Sequence, residues 1–479
     1  MSVMMNPDEF KKAGHEVVDW IAHYLEHIRE YPVLPAVAPG NLAAKLPAAA
    51  PDAGEPMDAI LEDFRRLIVP ALTHWNHPRF HAYFSVSASP PGILGEMLAA
   101  ALNVNHMVWK SCPAATELEQ VVLGWLREWL GMPAEYFGVI HDTASVNTMH
   151  AIAAAREAAA PQFRTEGASP GLTLYTSEQA HSSVEKGAIA LGIGQNHVRK
   201  VPVDGAFRMR PQALAEMAAA DVSQGKRPFC VVATTGTTST TSIDPVAEIL
   251  PVARQFGMWV HVDAAYGGPA AILPEKRHLF AGIEEADSLV INPHKWLFTP
   301  MDLSVLYTRR PDILRRAFSL VPEYLKTAED GRAVNFMDYG VPLGRRFRSL
   351  KLWFILRYYG REGVSRILRR HLEWAQEFAR CVESDPAFEL CAPVPLSTIC
   401  FRLKAGDDPS RTLLDRVNAT GKVFLSHTVL DGRFVLRFAI GNIATTREDV
   451  LGAWDLIRET ARQPPPTPCI PAARRDEEA

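Results

Sequence analysis

The amino-acid sequence predicts an α/β fold in which a mostly parallel central sheet is covered by helices on both faces. From about residue 85 onward, short apolar runs alternate with stretches of helical periodicity, the pattern of repeated strand–helix–strand units. One such helix is predicted to open at Asp244–Pro245, to run through Phe256 and to end at Gly257. In such sheets ligands bind at the carboxyl ends of the strands. The candidate strands are Leu172–Thr176, Val198–Val203, Cys230–Thr234, Trp259–Val262, Ser288–Ile291 and Ser304–Tyr307.

The regions on either side of this pattern predict further segments. Asn6–Glu9 combines a capping Asn, a Pro and two acids, which predicts a helix start, and a second helix fits Met57–Ile68. This opening region is expected to pack on a partner or on the main body. Strands are expected at Thr398–Leu403 and Phe434–Phe438, and the proline-rich end is expected to be disordered. The predicted domains are 1–84 (helical segment), 85–356 (large domain), 357–462 (small α+β domain) and 463–479 (tail).

Composition and charge are typical of a globular protein in water and argue against several classes of function. The chain of 479 residues is long enough for two or more domains. Its residues are 47% hydrophobic and 22% charged. The 50 Lys and Arg against 54 Asp and Glu give a net charge of −4, so no basic field favours nucleic acid. No apolar stretch reaches the roughly 18 residues of a membrane span, and no secretory signal is expected. Six scattered cysteines without CxxC spacing indicate reduced thiols, no metal site and a cytoplasmic protein.

Two apolar runs end in side chains that together favour a pyridoxal phosphate site. One run leads into the segment Asn292–Trp296, which contains Lys295. The other run leads to Asp263, which lies 32 positions before Lys295 in the sequence. This separation leaves room for one helical crossover between two neighbouring strands. A lysine can form a Schiff base with the cofactor's aldehyde, and a carboxylate against the pyridine nitrogen favours the protonated ring. The pair therefore predicts the two ends of a cofactor site.

Each residue of this pair has a simpler interpretation when it is taken alone. An isolated lysine at a strand end is usually solvated, and an isolated aspartate usually lies in a turn or caps a helix. The buried approach to Lys295, with a carboxylate one crossover earlier, strengthens the functional interpretation. Ala265 also favours it, because a small side chain lets a flat ring lie close to the backbone.

Phosphate donors are predicted at the start of a helix, where backbone N–H groups and hydroxyls bind anions. Asp142–Ser145 precedes a helix expected over 146–158. The Ala144 N–H and the Ser145 hydroxyl are therefore candidate donors, with simple helix capping as the alternative for Ser145. The loop Thr234–Thr241 offers further hydroxyls or is an ordinary polar loop. The chain has no GxxxxGK[ST] or GxGxxG motif that would indicate a nucleotide instead.

Two histidines lie near these strand ends. His181 follows the candidate strand Leu172–Thr176, a position from which it can stack on the cofactor ring and move a proton. The alternative is an ordinary surface or core histidine. His294, beside Lys295, is a similar case whose role can be limited to shaping its loop.

These motifs resemble those of the aromatic-L-amino-acid decarboxylase family, the group II pyridoxal phosphate-dependent decarboxylases. The resemblance rests on Ser177–Ser183, His261–Gly268, Asn292–Trp296 and Gly344–Lys351, and it extends over roughly residues 5–460. It implies fold type I, the aspartate aminotransferase-like architecture, with residues 85–356 binding the cofactor. It also implies a homodimer in which the N-terminal helical segment contributes to dimerisation and the active sites lie at the subunit interface.

The resemblance further implies roles for single residues. Lys295 is the expected Schiff-base lysine, Asp263 the partner of the pyridine nitrogen, and His181 the residue stacked on the ring. Ala265 and His294 are expected beside the cofactor. The residues expected to hold the phosphate are Ala144, Ser145, Thr238 and Asn292.

Tyr324 matches the family's tyrosine that protonates the α-carbon after CO2 leaves, and relatives that form aldehydes carry phenylalanine there. Its alternative interpretation is an exposed loop aromatic. The polar segment Lys326–Asn335 resembles the mobile loop that closes over the partner's site. Arg345, Arg346 and Arg348 are better explained as a helix start anchored to the protein body than as a carboxylate clamp. A tight clamp would stabilise the carboxylate that the reaction removes.

The resemblance places the substrate's side chain against an aromatic stretch, for which core packing is the alternative. The chain departs from well-known members at Ser85–Val86, where proline and a hydroxyl residue are common, and at Met107, where an aromatic residue is usual. Both departures weaken the case for dopa, since a contact to a catechol hydroxyl is lost. Gly344, where some phenol-selective relatives carry serine, leaves room for an indole. The predicted pocket consists of Trp75, Tyr83, Phe84, Val86, Met107 and Gly344.

The sequence thus predicts a pyridoxal phosphate-dependent carboxy-lyase that converts tryptophan, phenylalanine, tyrosine or dopa to the arylalkylamine and CO2. Two alternatives remain, an aromatic aldehyde synthase and a catalytically silent vitamin B6-binding homologue. Tyr324 argues against the first. The complete set of Lys295, Asp263 and His181 argues against the second.

Overall fold

The computed structural model describes residues 4–167, 171–320 and 331–464. Asn6 caps the first helix in a capping box with Glu9, as the sequence predicts. The α-helices in these ranges are α1 Pro7–Glu26, α2 Met57–Asp63, α3 Pro90–Leu102, α4 Pro113–Trp129, α5 Ala144–Ala159, α6 Phe163–Glu166, α7 Ser183–Ala190, α8 Pro211–Ser223, α9 Val246–Gln255, α10 Pro293–Trp296, α11 Pro311–Phe318, α12 Arg348–Ser384, α13 Asp407–Ala419 and α14 Arg447–Arg462. A π-helical turn, Phe64–Ile68, continues α2 to the predicted end of that helix. Short 3-10 turns lie at Ile28–Glu30, Ala43–Lys45, Val69–Ala71, Trp109–Ser111, Gln195–His197, Gly268–Ile272, Pro274–Phe280, Ile283–Glu285 and Phe336–Tyr339.

A seven-stranded sheet forms the centre of the large domain, in the order β1-β7-β6-β5-β4-β2-β3. Its strands are β1 Phe137–His141, β2 Leu172–Ser177, β3 Val198–Val201, β4 Arg227–Thr234, β5 Trp259–Asp263, β6 Ser288–Ile291 and β7 Ser304–Thr308. Strands β6, β5, β4, β2 and β3 run parallel, and β7 is antiparallel to both of its neighbours. The predicted mostly parallel sheet is therefore confirmed, and all of the candidate strands are present.

Several details of the sheet differ from the prediction, among them the start of β4, which lies at Arg227 and not at Cys230. The strand expected to reach Val203 ends at Val201, because Pro202 has no N–H to continue the ladder. The edge strand β1 was not predicted. It contains Gly138, a residue that disfavours strands, and an added Cβ at this position would lie 2.8 Å from the ring of Tyr307. The close packing of two strands thus explains a glycine that weakens the local strand pattern.

Burial on both faces explains why the central strands are continuous apolar runs. Every residue of β5 and β6 is buried. Val260 and Val262 of β5 pack in one core together with α4, α8 and α9, whereas Trp259 packs in a second core beneath α5. Alternate side chains of a single strand therefore belong to different cores.

A smaller antiparallel sheet follows, in the order β10-β11-β9-β8. Its strands are β8 Phe388–Leu390, β9 Thr398–Leu403, β10 Ser426–Leu430 and β11 Arg433–Ala439. The two strands predicted here, β9 and β11, are confirmed. The predicted domain boundary at residues 356/357 falls inside α12, close to Gly360, whose φ of 60° interrupts the helical backbone. The division into domains stays a prediction.

The N-terminal segment packs beside this small sheet, on the residue stretch before β10 and on α14. Phe80 forms a β-bridge with Phe424, and Arg29 and Arg79 both pair with the carboxylate of Asp449, at 2.8 and 3.1 Å. By contrast, no residue of α1 is buried. Among the described residues, no helix combines the length and apolar character that crossing a bilayer requires.

The register of the central sheet brings three strand ends together. Thr234 of β4 lies opposite Asp263 of β5, which lies opposite Val290 of β6. Because these strands are parallel, the loops that follow them leave from the same edge of the sheet.

Candidate active site

Lys295 and Asp263 line the same cavity, which has a volume of about 200 Å³. Asp263 is the last residue of β5, and Lys295 lies on the short helix α10 that begins just after β6. The Asp263 carboxylate accepts the backbone N–H of Ala265 at 3.0 Å, which holds it at the turn after the strand. The two residues that the sequence predicts as the ends of the site are therefore brought together.

The surroundings of Lys295 favour its neutral amine. Burial lowers the pKa of Lys295, the carboxylate of Asp263 opposes part of that lowering, and the guanidinium of Arg437 adds to it. Within the described residues the Nζ atom has no hydrogen bond or ion pair, and it lies 5.2 Å from the centre of the Phe84 ring. An amine whose pKa is lowered in this way is suited to act as a nucleophile.

His181 lines the cavity from the end of β2. Its Nδ1 accepts the backbone N–H of Ser183 at 3.1 Å and also lies 2.9 Å from the Ser183 hydroxyl. These bonds assign the proton of the neutral ring to Nε2. Partial desolvation in the cavity lowers the pKa of His181, with an opposing effect from Asp263, so the neutral form is favoured at neutral pH.

Polar groups suited to a phosphate also line the cavity. Ala144 and Ser145 form the first turn of α5, a sixteen-residue helix whose N-terminal N–H groups favour an anion. Thr238 and Asn292 line the same cavity. The Oδ1 atom of Asn292 and the Oγ1 atom of Thr234 are buried without a hydrogen-bond partner among the described residues. Because unpaired buried polar atoms are costly, these residues fit a polar ligand group.

Ala265 and His294 complete the expected cofactor residues. Ala265 packs with Ala144 and Val290. The small side chains of Ala265 and Ala144 leave space for a ligand in this part of the cavity. The Nδ1 atom of His294 accepts the backbone N–H of Leu303 at 3.0 Å. Burial, together with the charge of Lys295, lowers the pKa of His294 to about 3, so this ring is neutral. These contacts agree with a loop-shaping role for His294.

Two glycines let the loops after β4 and β5 approach each other. Gly236 has a φ of +101°, in the region that favours glycine, and its added Cβ would lie 2.9 Å from the backbone nitrogen of Gly267. An added Cβ on Gly267 would lie 2.3 Å from the carbonyl oxygen of Thr235. The cavity wall that carries Thr238 therefore depends on this contact.

Replacing Gly267 by alanine is expected to lower Tm and to weaken cofactor binding, since two backbone segments must separate. Overpacking of this kind costs about 1–3 kcal/mol. Thermal unfolding with and without pyridoxal phosphate measures both effects. Gly124→Ala in α4 is a suitable control: its Cβ meets nothing within 4 Å, and the change is expected to be neutral or stabilising by up to about 1 kcal/mol. A wild-type Tm for Gly267→Ala would contradict the expectation.

Most of the predicted substrate pocket does not line this cavity in the same chain. Phe84 does. Trp75 and Tyr83 stack on each other at 5.8 Å and are 38% and 54% exposed, so they form an outer aromatic surface. The predicted residues that lie outside the cavity are Trp75, Tyr83, Val86, Met107 and Gly344. Tyr324 and residues 326–330 of the predicted mobile segment lie outside the described residues.

Arg437 of β11 is a site residue that the sequence argument missed. It is 3% exposed, and its guanidinium lies 4.4 Å above the Phe84 ring. It donates hydrogen bonds to the carbonyl oxygens of Ser239 and Tyr83. The available signal was a single arginine within the apolar strand Phe434–Phe438. Arg437 itself does not line the cavity, and the cavity residues without a predicted role are Thr143, Ser183 and Tyr266. Thr234 and Gly236, which also line it, belong to the loop that was expected to offer hydroxyls.

The expected anchoring of the basic stretch is confirmed. Arg345 pairs with buried Glu119 at 2.6 Å, Arg346 pairs with Glu96, and Arg348 pairs with Asp302 at 2.8 Å. None of these arginines lines the cavity. All three therefore hold the start of α12 to the protein body.

The comparison with known proteins agrees with this geometry. The model of the pyridoxal-dependent decarboxylase conserved domain matches residues 39–404. The aromatic-L-amino-acid decarboxylase of Mus musculus is 42% identical, over 95% of this chain and 98% of the relative, and the phenylacetaldehyde synthase of Arabidopsis thaliana is 41% identical, over 95% and 96%. The crystal structure of Oryza sativa TDC with PLP and tryptamine superposes with a TM-score of 0.93 and 36% identity, covering 96% of this chain and 99% of the other.

These matches confirm the expected fold type I and the pyridoxal phosphate cofactor, and the amine, carboxylate and anion-binding wall of the cavity fit that group. The chain belongs to the pyridoxal-dependent decarboxylase family.

Proposed function

We propose that the protein removes the carboxyl group of an aromatic L-amino acid as CO2 and releases the arylalkylamine. The observation that carries this proposal is the convergence of Lys295, Asp263, His181 and the first turn of α5 on one cavity. The substrate class is supported by the mouse aromatic-L-amino-acid decarboxylase and by the rice protein whose structure contains tryptamine.

Three side chains would hold the reactive part of the cofactor. Bound pyridoxal phosphate supplies a conjugated ring that accepts the electron pair released when CO2 leaves. The Asp263 carboxylate favours a proton on the pyridine nitrogen, since an opposite charge stabilises the cation. Lys295 supplies the amine that attaches the cofactor, and its lowered pKa increases the fraction in the nucleophilic form. His181, held by Ser183, would lie over the ring and fix its orientation.

The phosphate would be held by a second set of residues that line the same cavity. The N–H of Ala144 and the hydroxyls of Ser145 and Thr238 are donors there, and the side-chain amide of Asn292 can donate as well. Together with the positive end of the α5 dipole, these groups suit a dianion.

The surroundings of the substrate's carboxylate favour its loss. The bond that breaks must stand perpendicular to the ring, so the pocket decides the reaction by orientation. Phe84 supplies an apolar surface beside Lys295, which favours loss of a charge over its retention. The nearby Arg437 donates from Nε and Nη1 to backbone carbonyl oxygens and stacks on Phe84, and its Nη2 atom is buried without a hydrogen-bond partner among the described residues. Tyr324 is proposed to deliver the proton to the α-carbon.

A homodimer is part of the proposal. Helix α1 has no buried residue in the single chain, so its amphipathic surface is available to a second copy. A second copy could also bring Met107 and Gly344 to the partner's cavity, which they do not line in their own chain. Sedimentation measurements check this, and a fully active monomer would contradict it.

A cytoplasmic location is also proposed. It rests on the scattered cysteines, five of which are free thiols in the described part of the chain. Fractionation of cells that produce the protein, followed by immunodetection, tests this location.

The function is tested by incubating the purified protein, loaded with pyridoxal phosphate, with a mixture of tryptophan, phenylalanine, tyrosine and dopa. Mass spectrometry should detect an arylalkylamine, with CO2 in equal amount and without ammonia or hydrogen peroxide. Aldehyde, ammonia and peroxide would instead establish an aldehyde synthase, the alternative supported by the Arabidopsis relative. No product from any of the four would favour a silent homologue.

A further inference from the structure

A buried carboxylate, Glu119 of α4, is bonded to three separate segments of the chain. Its Oε1 atom accepts the backbone N–H of Ile140 at 2.9 Å and a guanidinium N–H of Arg345 at 2.6 Å. Its Oε2 atom lies 3.0 Å from Nε2 of His106. The Glu119 side chain is 0% exposed. This residue therefore joins β1, the segment before α12 and the segment between α3 and α4.

The network keeps Glu119 charged. Burial by itself would raise the pKa of Glu119, but the charge of Arg345 and the hydrogen bonds from His106 and Ile140 outweigh it and lower the pKa. Arg345 is further fixed by a hydrogen bond to the Ile140 carbonyl oxygen at 3.0 Å. Its guanidinium lies 4.7 Å above the ring of Phe336. Each partner of the carboxylate thus has a defined position.

Two of the joined segments carry predicted substrate residues. The backbone N–H of Arg345 donates to the side-chain oxygen of Asn105 at 2.9 Å. The backbone N–H of His106 donates to the carbonyl oxygen of Arg345 at 3.4 Å. Met107 directly follows His106 in the sequence, and Gly344 directly precedes Arg345. An added Cβ on Gly344 would lie 4.0 Å from the Asn105 amide nitrogen. We call the surface formed by Asn105, Met107 and Gly344 the specificity wall.

A third segment is attached to the same wall. The Met337 N–H donates to the Met107 carbonyl at 3.0 Å, and the Trp109 N–H donates to the Asn335 side chain at 2.9 Å. Met107, Val108 and Met337 pack in one small cluster. The position of the specificity wall is therefore fixed both by the buried network around Glu119 and by the segment that contains Asn335 and Met337.

We propose that Glu119 is a positioning residue that sets the spacing of the specificity wall and thereby the discrimination among aromatic amino acids. It touches neither substrate nor cofactor, since it does not line the cavity and has no exposed surface. The inference rests on the proposed function, in which Met107 and Gly344 of one copy face the substrate's side chain in the cavity of the second copy.

The physical reason lies in the sensitivity of a pocket to small changes in spacing. One methylene in an apolar pocket changes discrimination by roughly 10-fold to 200-fold. Glu119→Gln keeps the side-chain volume but removes the charge opposite Arg345 and introduces a donor facing either Ile140 N–H or His106. The segments that carry Met107 and Gly344 then separate. Binding of the substrate's ring should change more than the chemistry at the cofactor.

The experiment compares kcat/KM for tryptophan with kcat/KM for phenylalanine in the holoenzyme. Glu119→Gln is expected to change this ratio by about fivefold or more, mainly through KM. The control is Asp221→Asn, another buried carboxylate, which bonds Tyr175 at 2.6 Å and Arg199 at 2.8 Å and lies outside the cavity. This control should lower Tm while leaving the ratio of the two substrates and the cofactor absorption at wild-type values.

The outcomes separate the two proposals. A wild-type protein that decarboxylates both amino acids, with the same ratio in Glu119→Gln, overturns the positioning role alone. A wild-type protein that decarboxylates no aromatic amino acid overturns the proposed function and this inference with it. If Glu119→Gln does not fold, His106→Gln and Arg345→Lys each weaken one bond of the network. A shifted ratio in either supports the positioning role, and an unchanged ratio in both overturns it.

Discussion

Lys295→Ala is expected to abolish the yellow colour of the cofactor-loaded protein and to reduce decarboxylation by about 10⁴-fold or more, the scale on which a covalent nucleophile contributes. The reason is that Lys295 supplies the only lysine amine lining the described cavity. Absorption spectra and assays with the preferred amino acid measure the two effects. A second readout is reduction of the wild-type holoenzyme with borohydride, which should attach the pyridoxyl group to the peptide containing Lys295.

Lys351 provides a control, because it is a fully buried lysine that pairs with Glu96 at 2.7 Å outside the cavity, whereas Lys295 is only partly buried and has no such pair among the described residues. Lys351→Gln is expected to lower stability while keeping the colour and the labelled peptide. Colour that persists in Lys295→Ala, or a label on another peptide, would move the attachment site elsewhere. Lys295→Arg separates charge from attachment: it places a permanent cation at this position but offers no amine for attachment, so it should still lose the colour.

Tyr324→Phe is expected to keep CO2 release and to divert the product from amine to aldehyde. Without the phenol, the α-carbon is not protonated promptly, and oxygen takes up the electron pair instead. Dioxygen is then reduced to hydrogen peroxide as the carbon–nitrogen bond is oxidised, and water releases aldehyde and ammonia. Loss of a positioned proton donor should lower the rate of amine formation by about 10²–10⁴-fold. Ammonia, peroxide and aldehyde are measured beside CO2, with and without oxygen.

The matched control is Tyr358→Phe, the same chemical change at a tyrosine of α12 that is 73% exposed. It should leave amine yield and peroxide at wild-type values. An unchanged amine yield in Tyr324→Phe would remove Tyr324 from the mechanism and leave the proton donor to another group, such as His181.

The cofactor end of the site was predictable because its residues stand at the ends of recognisable strands. Apolar runs indicate β5 and β6, and parallel strands must release Asp263 and the loop of Lys295 at one edge. The anion-binding turn was predictable for a related reason, since a polar turn before an amphipathic helix indicates a helix N-terminus. Local pattern and general topology were sufficient for this half of the site.

The substrate half was not predictable in the same way. Trp75, Tyr83, Met107 and Gly344 come from loops whose positions no strand or helix period specifies, and none of them lines the cavity of its own chain. Arg437 reaches the site only because the small sheet packs against the loop after β4. Such contacts depend on how separate units dock, which a local pattern does not contain.

By itself, the sequence determined the α/β class, the positions of most strands along the chain and the chemistry of the Lys295–Asp263 pair, because these follow from periodicity and from residue types at strand ends. Only the tertiary structure decided that Glu119 bonds Arg345, a residue 226 positions later, and that Arg437 stacks on Phe84. The physical reason is that burial creates these interactions: a carboxylate or guanidinium acquires its partner, and its shifted pKa, only when distant segments exclude water from it.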